Sequence, residues 1–182
     1  MSFARILQKY RVTLGWLLGA VFLAGARPTP SWIAAGAVVC AAGAAVRTWA
    51  AGHIRKRETL AVTGPYAFTR NPLYFGSFLM GCGALAMGRN PWLAALFVAL
   101  AVPVYDVVIR REEQLLAGIF GEAYAAYARE VPRFFPRPRA PRGSLGAFDW
   151  ALVRRNREWR SWAGGAAIAL LLLARWHWMG PR

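Results

Sequence analysis

Hydrophobic residues along this chain are gathered into long runs that are separated by short polar or basic segments. Five runs are candidates for membrane spans: Val12–Ala26, Trp32–His53, Pro72–Gly88, Pro91–Ile109 and Trp162–Trp178. A helix needs about 20 apolar residues to cross the hydrocarbon core of a bilayer. The pattern therefore predicts an all-α, polytopic membrane helix bundle with about five transmembrane helices. We expect the fourth helix to continue past Glu113. An alternative interpretation of the first run is a cleavable signal peptide.

The basic residues predict an orientation for these spans. With the N-terminus in the cytoplasm, 18 Lys and Arg fall in cytoplasmic segments, four (Arg27, Arg89, Arg175 and Arg182) fall outside, and Arg47 lies within a span. Basic residues concentrate on the cytoplasmic side of membrane proteins, and Trp residues concentrate at the interfaces, as they do near the ends of these runs. The Arg- and Ala-rich composition favours a bacterial protein, so we expect the inner (cell) membrane.

Composition narrows the function classes. The chain is 57% hydrophobic but carries a formal charge of +15. A basic soluble protein of this size would suggest a nucleic-acid partner, but here the charges are segregated from the apolar runs, so no nucleic acid is expected. Cys40 and Cys82 lie in apolar runs and His53 and His177 lie far apart, so no metal site is predicted. The oligomeric state is left open.

Turn and breaker residues divide the chain into three parts. We expect residues 1–53 to form a transmembrane hairpin, residues 54–136 to form a core of two transmembrane helices with polar loops, and residues 137–182 to form a basic linker, an interfacial helix and the last transmembrane helix. Prolines after residue 131 exclude a continuous helix there. The basic stretch Arg133–Arg142 is expected to touch anionic headgroups, and Ser144–Trp159 is expected to include a short surface helix.

Two ionisable residues lie within predicted spans. Arg47 and Asp106 are both close to the cytoplasmic end of their run. Charged groups at membrane depth usually face a partner or a wet cavity. We therefore expect an ion pair between these two side chains, with extension of Arg47 toward the interface as the alternative.

Three motifs carry a resemblance to a known family. The first is the segment Thr59–Gly76, which contains Gly64-Pro65-Tyr66 and Arg70-Asn71-Pro72-Leu73-Tyr74. The second is Arg111-Glu112-Glu113-Gln114-Leu115-Leu116, continued by Phe120-Gly121-Glu122-Ala123-Tyr124 as far as Pro132, and the third is Gly81-Cys82-Gly83. Residues 58–136 thereby resemble the isoprenylcysteine carboxyl methyltransferases, which group with the phospholipid N-methyltransferases.

The resemblance implies a cytoplasm-facing pocket for S-adenosylmethionine. The cofactor-binding residues it implies are Leu60, Ala61, Tyr66, Arg70, Asn71, Tyr74, Gly81, Gly83, Glu112 and Glu113. We expect Glu112, Arg133 and Tyr127 to be the catalytic residues, the last two because of the groups that a methyl acceptor would need. The chemistry agrees, because this cofactor carries two cationic groups that suit carboxylates and one carboxylate that suits an arginine. The structural alternatives are that Arg70 anchors the membrane interface, that the glutamates form a solvated face, and that the glycines serve helix packing.

The chain departs from the family pattern at two places. Asn71 occupies a position where the family usually has His, and Asn can exchange hydrogen bonds but cannot titrate. The helical turn before Glu112, which reads Asp106-Val107-Val108-Ile109, lacks an arginine that the carboxyl-methylating members have. This second departure weakens the case for a prenylcysteine carboxylate as the substrate.

The expected reaction is methyl transfer to a lipid or another amphipathic small molecule. An anionic acceptor would need an arginine such as Arg129 or Arg133 at the pocket mouth, and an amine acceptor would need a proton route, for which Tyr124, Tyr127 and Glu122 are candidates. Two other functions stay open. One is an NADPH-dependent membrane reductase of the sterol reductase type, which carries a similar Arg-x-Pro-x-Tyr segment. The other is a non-catalytic membrane scaffold.

Overall fold

The computed structural model describes residues 17–55, 58–139, 144 and 146–179, and no strand occurs in these ranges. Helix α1 occupies residues 17–25 of the described chain. It is followed by α2 (Pro30–Ala51), a 3-10 turn (Gly64–Ala67), α3 (Pro72–Gly88), α4 (Pro91–Glu130), α5 (Trp150–Arg155) and α6 (Trp159–Met179). The all-α fold is confirmed. The parts of the predictions that fall on residues 12–16 and 140–142 lie outside the described residues.

Local signals explain where the helices begin and end. Proline is the first residue of α2, α3 and α4, where its missing N–H has no helical partner to lose. Arg89 ends α3 in the left-handed conformation, at φ 46°, and Asn90 caps α4 by accepting a hydrogen bond from the Trp92 backbone N–H at 3.0 Å. Helix α4 does continue past Glu113, but it is kinked at Gly121, whose φ is 51° and ψ is −124°.

A seam of glycines joins α2 to α3. A Cβ atom placed on Gly83 would lie 2.6 Å from the Gly36 carbonyl oxygen and the Cys40 backbone nitrogen. One placed on Gly43 would lie 2.6 Å from the Gly76 carbonyl oxygen. Small residues at such positions allow two helix backbones to approach closely. This seam fixes α3 against α2 and so fixes the position of the loop that leads into α3.

The core lies where α2, α3 and α6 meet. Its buried side chains come from all three helices and from the residue after α1, and they are Ala26, Ile33, Cys40, Met87 and Leu172. Helix α4 packs much less closely, and its apolar residues between positions 96 and 104 are largely exposed. Two described helices, Pro30–Ala51 and Pro91–Glu130, are long and apolar enough to cross a membrane, and Pro72–Gly88 is an apolar helix of 17 residues. This is fewer than the five spans predicted.

The predicted ion pair between Arg47 and Asp106 is wrong. Arg47 points toward α3 and α6, where its Nη2 lies 2.9 Å from Glu158 Oε1, and the two side chains are 23% and 6% exposed. Asp106 instead pairs with Arg110 and Arg133, each at 2.8 Å. The reason is the packing order: α2 is covered by α3 and α6, so its charged side chain meets those helices and not α4.

A short helix is present within the segment Ser144–Trp159, as predicted. Helix α5 covers Trp150–Arg155 only, and it begins at Asp149, whose carboxylate accepts a hydrogen bond from the Ala151 backbone N–H at 2.7 Å. Its Leu152 and Val153 are buried against the rest of the chain. The α5 segment therefore leads directly into α6 and brings Glu158 to the bundle.

Candidate functional site

A cavity of about 580 Å³ lies at one end of the bundle, where the loop after α2, the start of α3, the middle of α4 and the residue before α6 meet. Both long motifs contribute to it, and Arg47 and Glu158 complete the wall. The lining residues are Arg47, Ile54, Arg55, Thr59, Leu60, Ala61, Tyr66, Arg70, Asn71, Pro72, Leu73, Tyr74, Ser77, Val108, Arg111, Glu112, Leu115, Leu116, Tyr127 and Glu158.

The segment that follows α4 turns back and holds the loop that precedes α3. The Arg70 backbone N–H donates to the Pro132 carbonyl at 2.9 Å, and the Arg137 backbone N–H donates to the Phe68 carbonyl at 3.0 Å. The buried Thr69 hydroxyl donates to the Phe134 carbonyl at 2.9 Å. Each of these bonds satisfies a polar group of a loop that lacks regular secondary structure. The two motifs, far apart in sequence, are therefore fixed to each other by backbone contacts.

A side-chain contact joins the same two motifs across the cavity. The Tyr74 hydroxyl, on the first turn of α3, donates to Glu112 Oε2 on α4 at 2.8 Å. A hydrogen bond to an ionised carboxylate is stronger than one between neutral groups. Tyr74 also packs edge-on against the Tyr105 ring, with 5.9 Å between the ring centroids. Tyr74 thus fixes Glu112 at the cavity wall, and the contact with Tyr105 fixes the Tyr74 ring.

Glu113 does not line this cavity. Successive residues of a helix point about 100° apart, so Glu113 faces away from Glu112 and lies between two arginines. Its Oε1 is 3.3 Å from Arg70 Nη2, and its Oε2 is 3.1 Å from Arg133 Nε. Glu113 therefore stabilises the position of Arg70, whose side chain does line the cavity.

Arg133 also lies outside the cavity lining. Its guanidinium bridges Glu113 and Asp106, with Nη1 2.8 Å from Asp106 Oδ1. These contacts place it on the far side of Arg70 and Glu113. Arg133 was predicted to contact the reacting groups, but its side chain does not line the cavity. Its contacts hold Glu113 and Asp106 in place instead.

Tyr66 has a buried hydroxyl without a hydrogen-bond partner among the described residues. The residue is 6% exposed, lies in the 3-10 turn and lines the cavity. Burial raises the pKa of the Tyr66 phenol far above its ordinary value, with smaller contributions from Tyr127 and Glu112. The hydroxyl therefore stays protonated and can act as a hydrogen-bond donor. The Tyr127 hydroxyl donates to the Tyr66 carbonyl at 2.8 Å and so holds the turn in place.

Asn71 immediately precedes α3 and is 7% exposed. Its Nδ2 donates to the Arg133 carbonyl at 2.9 Å. The side chain thus serves as a hydrogen-bond donor to the returning segment. A histidine ring nitrogen can perform the same donation.

Gly81 and Gly83 do not reach the cavity. A Cβ on Gly81 would meet the Phe97 ring of α4, at 2.5 Å, and Gly83 lies in the seam with α2. Both glycines are on α3 more than one turn beyond Ser77, where neighbouring helices cover them. The two glycines therefore allow close helix packing, as the alternative interpretation had it. The structure does not place them in contact with the predicted cofactor pocket.

Arg47 and Glu158 also line the cavity, although neither belongs to the three sequence motifs. The Arg47 guanidinium donates to Glu158, to the Ser161 hydroxyl at 2.9 Å, to the Ser77 hydroxyl at 2.6 Å and to the Leu73 carbonyl. The sequence signal for Arg47 was its place within a span. The signal for Glu158 was a lone acid in an arginine-rich segment, next to the last apolar run.

Two residues considered for the acceptor lie elsewhere. Glu122 is 95% exposed and is 3.8 Å from the exposed Arg129, beyond the kink at Gly121. Neither side chain lines the cavity. Within the described ranges, no group of three or more His, Cys, Asp or Glu residues could hold a metal ion.

The chain is similar in sequence to several known proteins. A sequence model of the family described as phospholipid methyltransferase matches residues 32–123, which include both lining motifs up to the kink in α4. The cobalt-zinc-cadmium resistance protein CzcN of Cupriavidus metallidurans is 33% identical over 169 residues, which cover 88% of this chain and 78% of that protein. The nickel-cobalt-cadmium resistance protein NccN of Alcaligenes xylosoxydans xylosoxydans is 35% identical over 138 residues, 70% of this chain and 63% of that protein.

Enzymes that methylate isoprenylcysteine are also similar. The protein-S-isoprenylcysteine O-methyltransferase of Schizosaccharomyces pombe is 32% identical over 83 residues, which are 45% of this chain and 35% of that enzyme. This chain thus spans about a third of the enzyme's length. No solved structure matches the chain. The apolar helices and these relatives identify an integral membrane protein, and the match over residues 32–123 shows that the chain belongs to the phospholipid methyltransferase family.

Proposed function

We propose that this protein is a membrane methyltransferase that transfers the methyl group of S-adenosylmethionine to a lipophilic or amphipathic acceptor at the cytoplasmic leaflet. One observation carries the proposal. The two family motifs line a single cavity, and the Tyr74–Glu112 hydrogen bond of 2.8 Å joins them across it. A cavity of about 580 Å³ has the size of ordinary small-molecule sites.

The residues present fit S-adenosylmethionine. Glu112 offers a carboxylate to the cationic groups of this cofactor, and Arg70 offers a guanidinium to its carboxylate. The Tyr66 and Tyr74 rings are surfaces on which a cation or the adenine ring can lie. The unpartnered Tyr66 hydroxyl supports the assignment, because a buried donor without a partner is costly unless a ligand satisfies it. Leu60 and Ala61 would contribute through their backbone, and Asn71 would hold the loop.

S-adenosylmethionine, when bound, supplies a methyl group on a positively charged sulfur, which is already activated for displacement. The protein's own contribution is to position the two reactants and to exclude water. Tyr127 holds the Tyr66 turn, and Glu113 with Arg133 holds Arg70. The bridged arrangement of Glu113 and Arg133 favours a positioning role for both. Glu112 and Tyr127 remain the proposed residues nearest to the reaction.

The acceptor is proposed to be amphipathic. Val108, Leu115 and Leu116 form an apolar strip of the cavity wall on α4, while Arg55 and Arg111 supply exposed positive charge beside it. An apolar tail along α4 and an anionic or polar head near the two arginines would satisfy both surfaces. Helix α4 is largely exposed, so we propose that such a molecule reaches the cavity sideways from the bilayer.

The topology proposed for the whole chain has about five spans, the N-terminus and the cavity on the cytoplasmic side, and the bacterial inner membrane as its location. The distribution of basic residues supports this orientation. The organisms of the relatives CzcN and NccN support a bacterial origin. We also propose the three-part division of the chain, with boundaries after residues 53 and 136.

Calorimetry on purified full-length protein tests the function directly. We expect binding of S-adenosylmethionine, no binding of NADPH, and transfer of radiolabelled methyl groups to a component of a lipid extract. The Glu112→Gln variant should bind S-adenosylmethionine about 10- to 100-fold more weakly and lose transfer, while the exposed Glu122→Gln variant should keep both. Binding of NADPH alone would establish the reductase instead, and binding of neither cofactor would favour the scaffold.

A part in metal resistance is a second candidate function. The observation that favours it is the 33% identity to CzcN over 88% of this chain. A deletion strain complemented with wild type or with Glu112→Gln, and then challenged with cobalt, zinc or cadmium, tests it. If only the wild type restores growth, resistance depends on the proposed methyl transfer. Equal growth of both strains would show that resistance does not require methyl transfer.

A further inference from the structure

A second cavity, of about 820 Å³, lies at the end of the bundle opposite the candidate site. The start of α2, the end of α3 and the end of α6 meet there, whereas the first cavity is formed at the other ends of these helices. Three arginines line it, Arg27, Arg89 and Arg175, together with Asn90 and Trp176. Its chemistry therefore differs from that of the candidate site and is independent of the proposed function.

The three arginines are brought together by specific backbone contacts. The Arg27 backbone N–H donates to the Gly88 carbonyl at 2.8 Å, which places Arg27 beside Arg89. Arg175 Nε donates to the Ala26 carbonyl at 3.1 Å, and its Nη2 donates to the Ala24 carbonyl at 3.0 Å. Asn90 Nδ2 closes the assembly by donating to the Gly25 carbonyl at 2.8 Å. All three cations are thus tied to the connection between α1 and α2.

No side-chain carboxylate compensates this charge. The chain has eight acidic residues, and all of them lie between positions 58 and 158. In the described part of the chain, none of the three arginines forms an ion pair with an acidic residue. Three like charges around one cavity repel each other. An external anion would relieve this repulsion.

The surroundings indicate which anion. Trp92 and Trp178 are 82% and 87% exposed at this end of the bundle, and exposed Trp rings of membrane proteins lie at headgroup depth. Arginine is the side chain best suited to hold a phosphate, because its planar fork binds two oxygens at once. Three arginines at headgroup depth therefore suit a lipid phosphate.

We propose that the Arg27–Arg89–Arg175 cavity is a binding site for a phosphate group, supplied by an anionic phospholipid of the leaflet opposite the candidate site. The bound phosphate offsets part of the positive charge of the three arginines and holds the ends of α2, α3 and α6 together. This role concerns the stability of the bundle, and it requires neither the methyl donor nor the methyl acceptor.

The test measures lipid binding by full-length protein in detergent, using native mass spectrometry and thermal-shift titration with phosphatidylglycerol and with phosphatidylcholine. We expect selective binding of phosphatidylglycerol and a rise in melting temperature. Since each arginine of this cavity is expected to contribute about fivefold to the affinity for an anionic lipid, the Arg27→Gln/Arg89→Asn variant should bind roughly 30-fold more weakly. Asn at position 89 accepts the left-handed backbone of that residue. Arg175 is retained in the variant because it also supports the backbone.

A matched control removes two exposed arginines from the other end of the bundle, as Arg129→Gln/Arg154→Gln, and should bind like the wild type. A separate titration uses inorganic phosphate. A thermal shift with phosphate that is absent from the Arg27→Gln/Arg89→Asn variant supports the site with a free ion as its source. If the double variant does not elute as a single folded species, the two single variants are each expected to lose about fivefold. Equal phosphatidylglycerol and phosphate responses in wild type and variants would overturn the proposal.

Discussion

Tyr74 and Glu112 lie 38 positions apart in sequence, yet the Tyr74 hydroxyl donates to Glu112 Oε2 at 2.8 Å at the wall of the candidate site. The bond couples the first turn of α3 to the middle of α4. Glu112 is therefore already oriented before any ligand binds. Such preorganisation lowers the entropic cost of binding.

Replacement of the two partners should separate orientation from charge. Glu112→Gln removes a charged partner of the proposed cofactor, which is expected to weaken S-adenosylmethionine binding by about 10- to 100-fold. Tyr74→Phe leaves the carboxylate and removes only its orienting bond, so we expect a loss of about two- to tenfold. Calorimetry measures both. An affinity of Glu112→Gln equal to that of the wild type would remove Glu112 from the binding site.

The unpartnered hydroxyl of Tyr66 gives a prediction with opposite signs for stability and binding. In the unliganded protein, Tyr66→Phe removes a buried hydroxyl that has no hydrogen-bond partner among the described residues, so the melting temperature should stay equal or rise. Binding of S-adenosylmethionine should weaken by about two- to tenfold, because the ligand loses one hydrogen bond. Its burial keeps the pKa of this phenol raised, so this binding contribution should persist through mildly alkaline pH. A lower melting temperature with unchanged affinity would show that the hydroxyl is structural.

Asn71 should be needed as a hydrogen-bond donor. Asn71→Asp keeps the shape but directs an acceptor at the Arg133 carbonyl, so we expect a loss of about 1–3 kcal/mol in stability. Asn71→His retains a donor and should keep both the folded yield and the cofactor affinity. Thermal unfolding in detergent compares the two variants. Equal stability of Asn71→Asp and wild type would contradict the importance of this bond.

The Arg47–Glu158 pair should contribute far more to stability than an exposed pair does. Glu158→Ala leaves the part-buried Arg47 without its carboxylate, which is expected to cost about 3–5 kcal/mol. The matched control is Glu58→Ala. Glu58 lies 2.7 Å from Arg155, but the Arg155 and Glu58 side chains are 64% and 46% exposed. Its expected cost is below about 1 kcal/mol. Similar melting temperatures for the two variants would mean that the buried pair contributes little.

The glycine seam can be tested with a single methyl group. Gly83→Ala places a Cβ 2.6 Å from two backbone atoms of α2, so the helices must separate, at an expected cost of about 1–3 kcal/mol. Gly118→Ala is the control, since nothing lies within 4 Å of that Cβ. It should stabilise α4 by up to about 1 kcal/mol. Unchanged stability of Gly83→Ala, together with weaker cofactor binding, would return Gly83 to the cofactor site.

Much of the secondary structure was determined by the sequence alone. The bounds of α3 and the start of α4 were predicted at Pro72–Gly88 and Pro91, and the structure has the same residues. Proline at the first helical position and the Gly-Arg-Asn-Pro turn are local signals, and they act over a few residues of backbone. The two long motifs also identified the loop and the part of α4 that form the cavity, because they contain the charged and aromatic side chains that suit the proposed cofactor.

Only the tertiary structure decided which charged and small residues face one another. Arg47 meets Glu158, 111 residues away, and not Asp106 at a similar depth, because the packing of α6 against α2 fills that side of the helix. Glu112 lines the cavity while its neighbour Glu113 holds Arg70, because one helical step turns a side chain by about 100°. Gly81 faces α4 and Gly83 faces α2, because two helical steps turn the backbone by about 200°. The direction in which a helix faces depends on the packing of all its neighbours, and no short stretch of sequence specifies it.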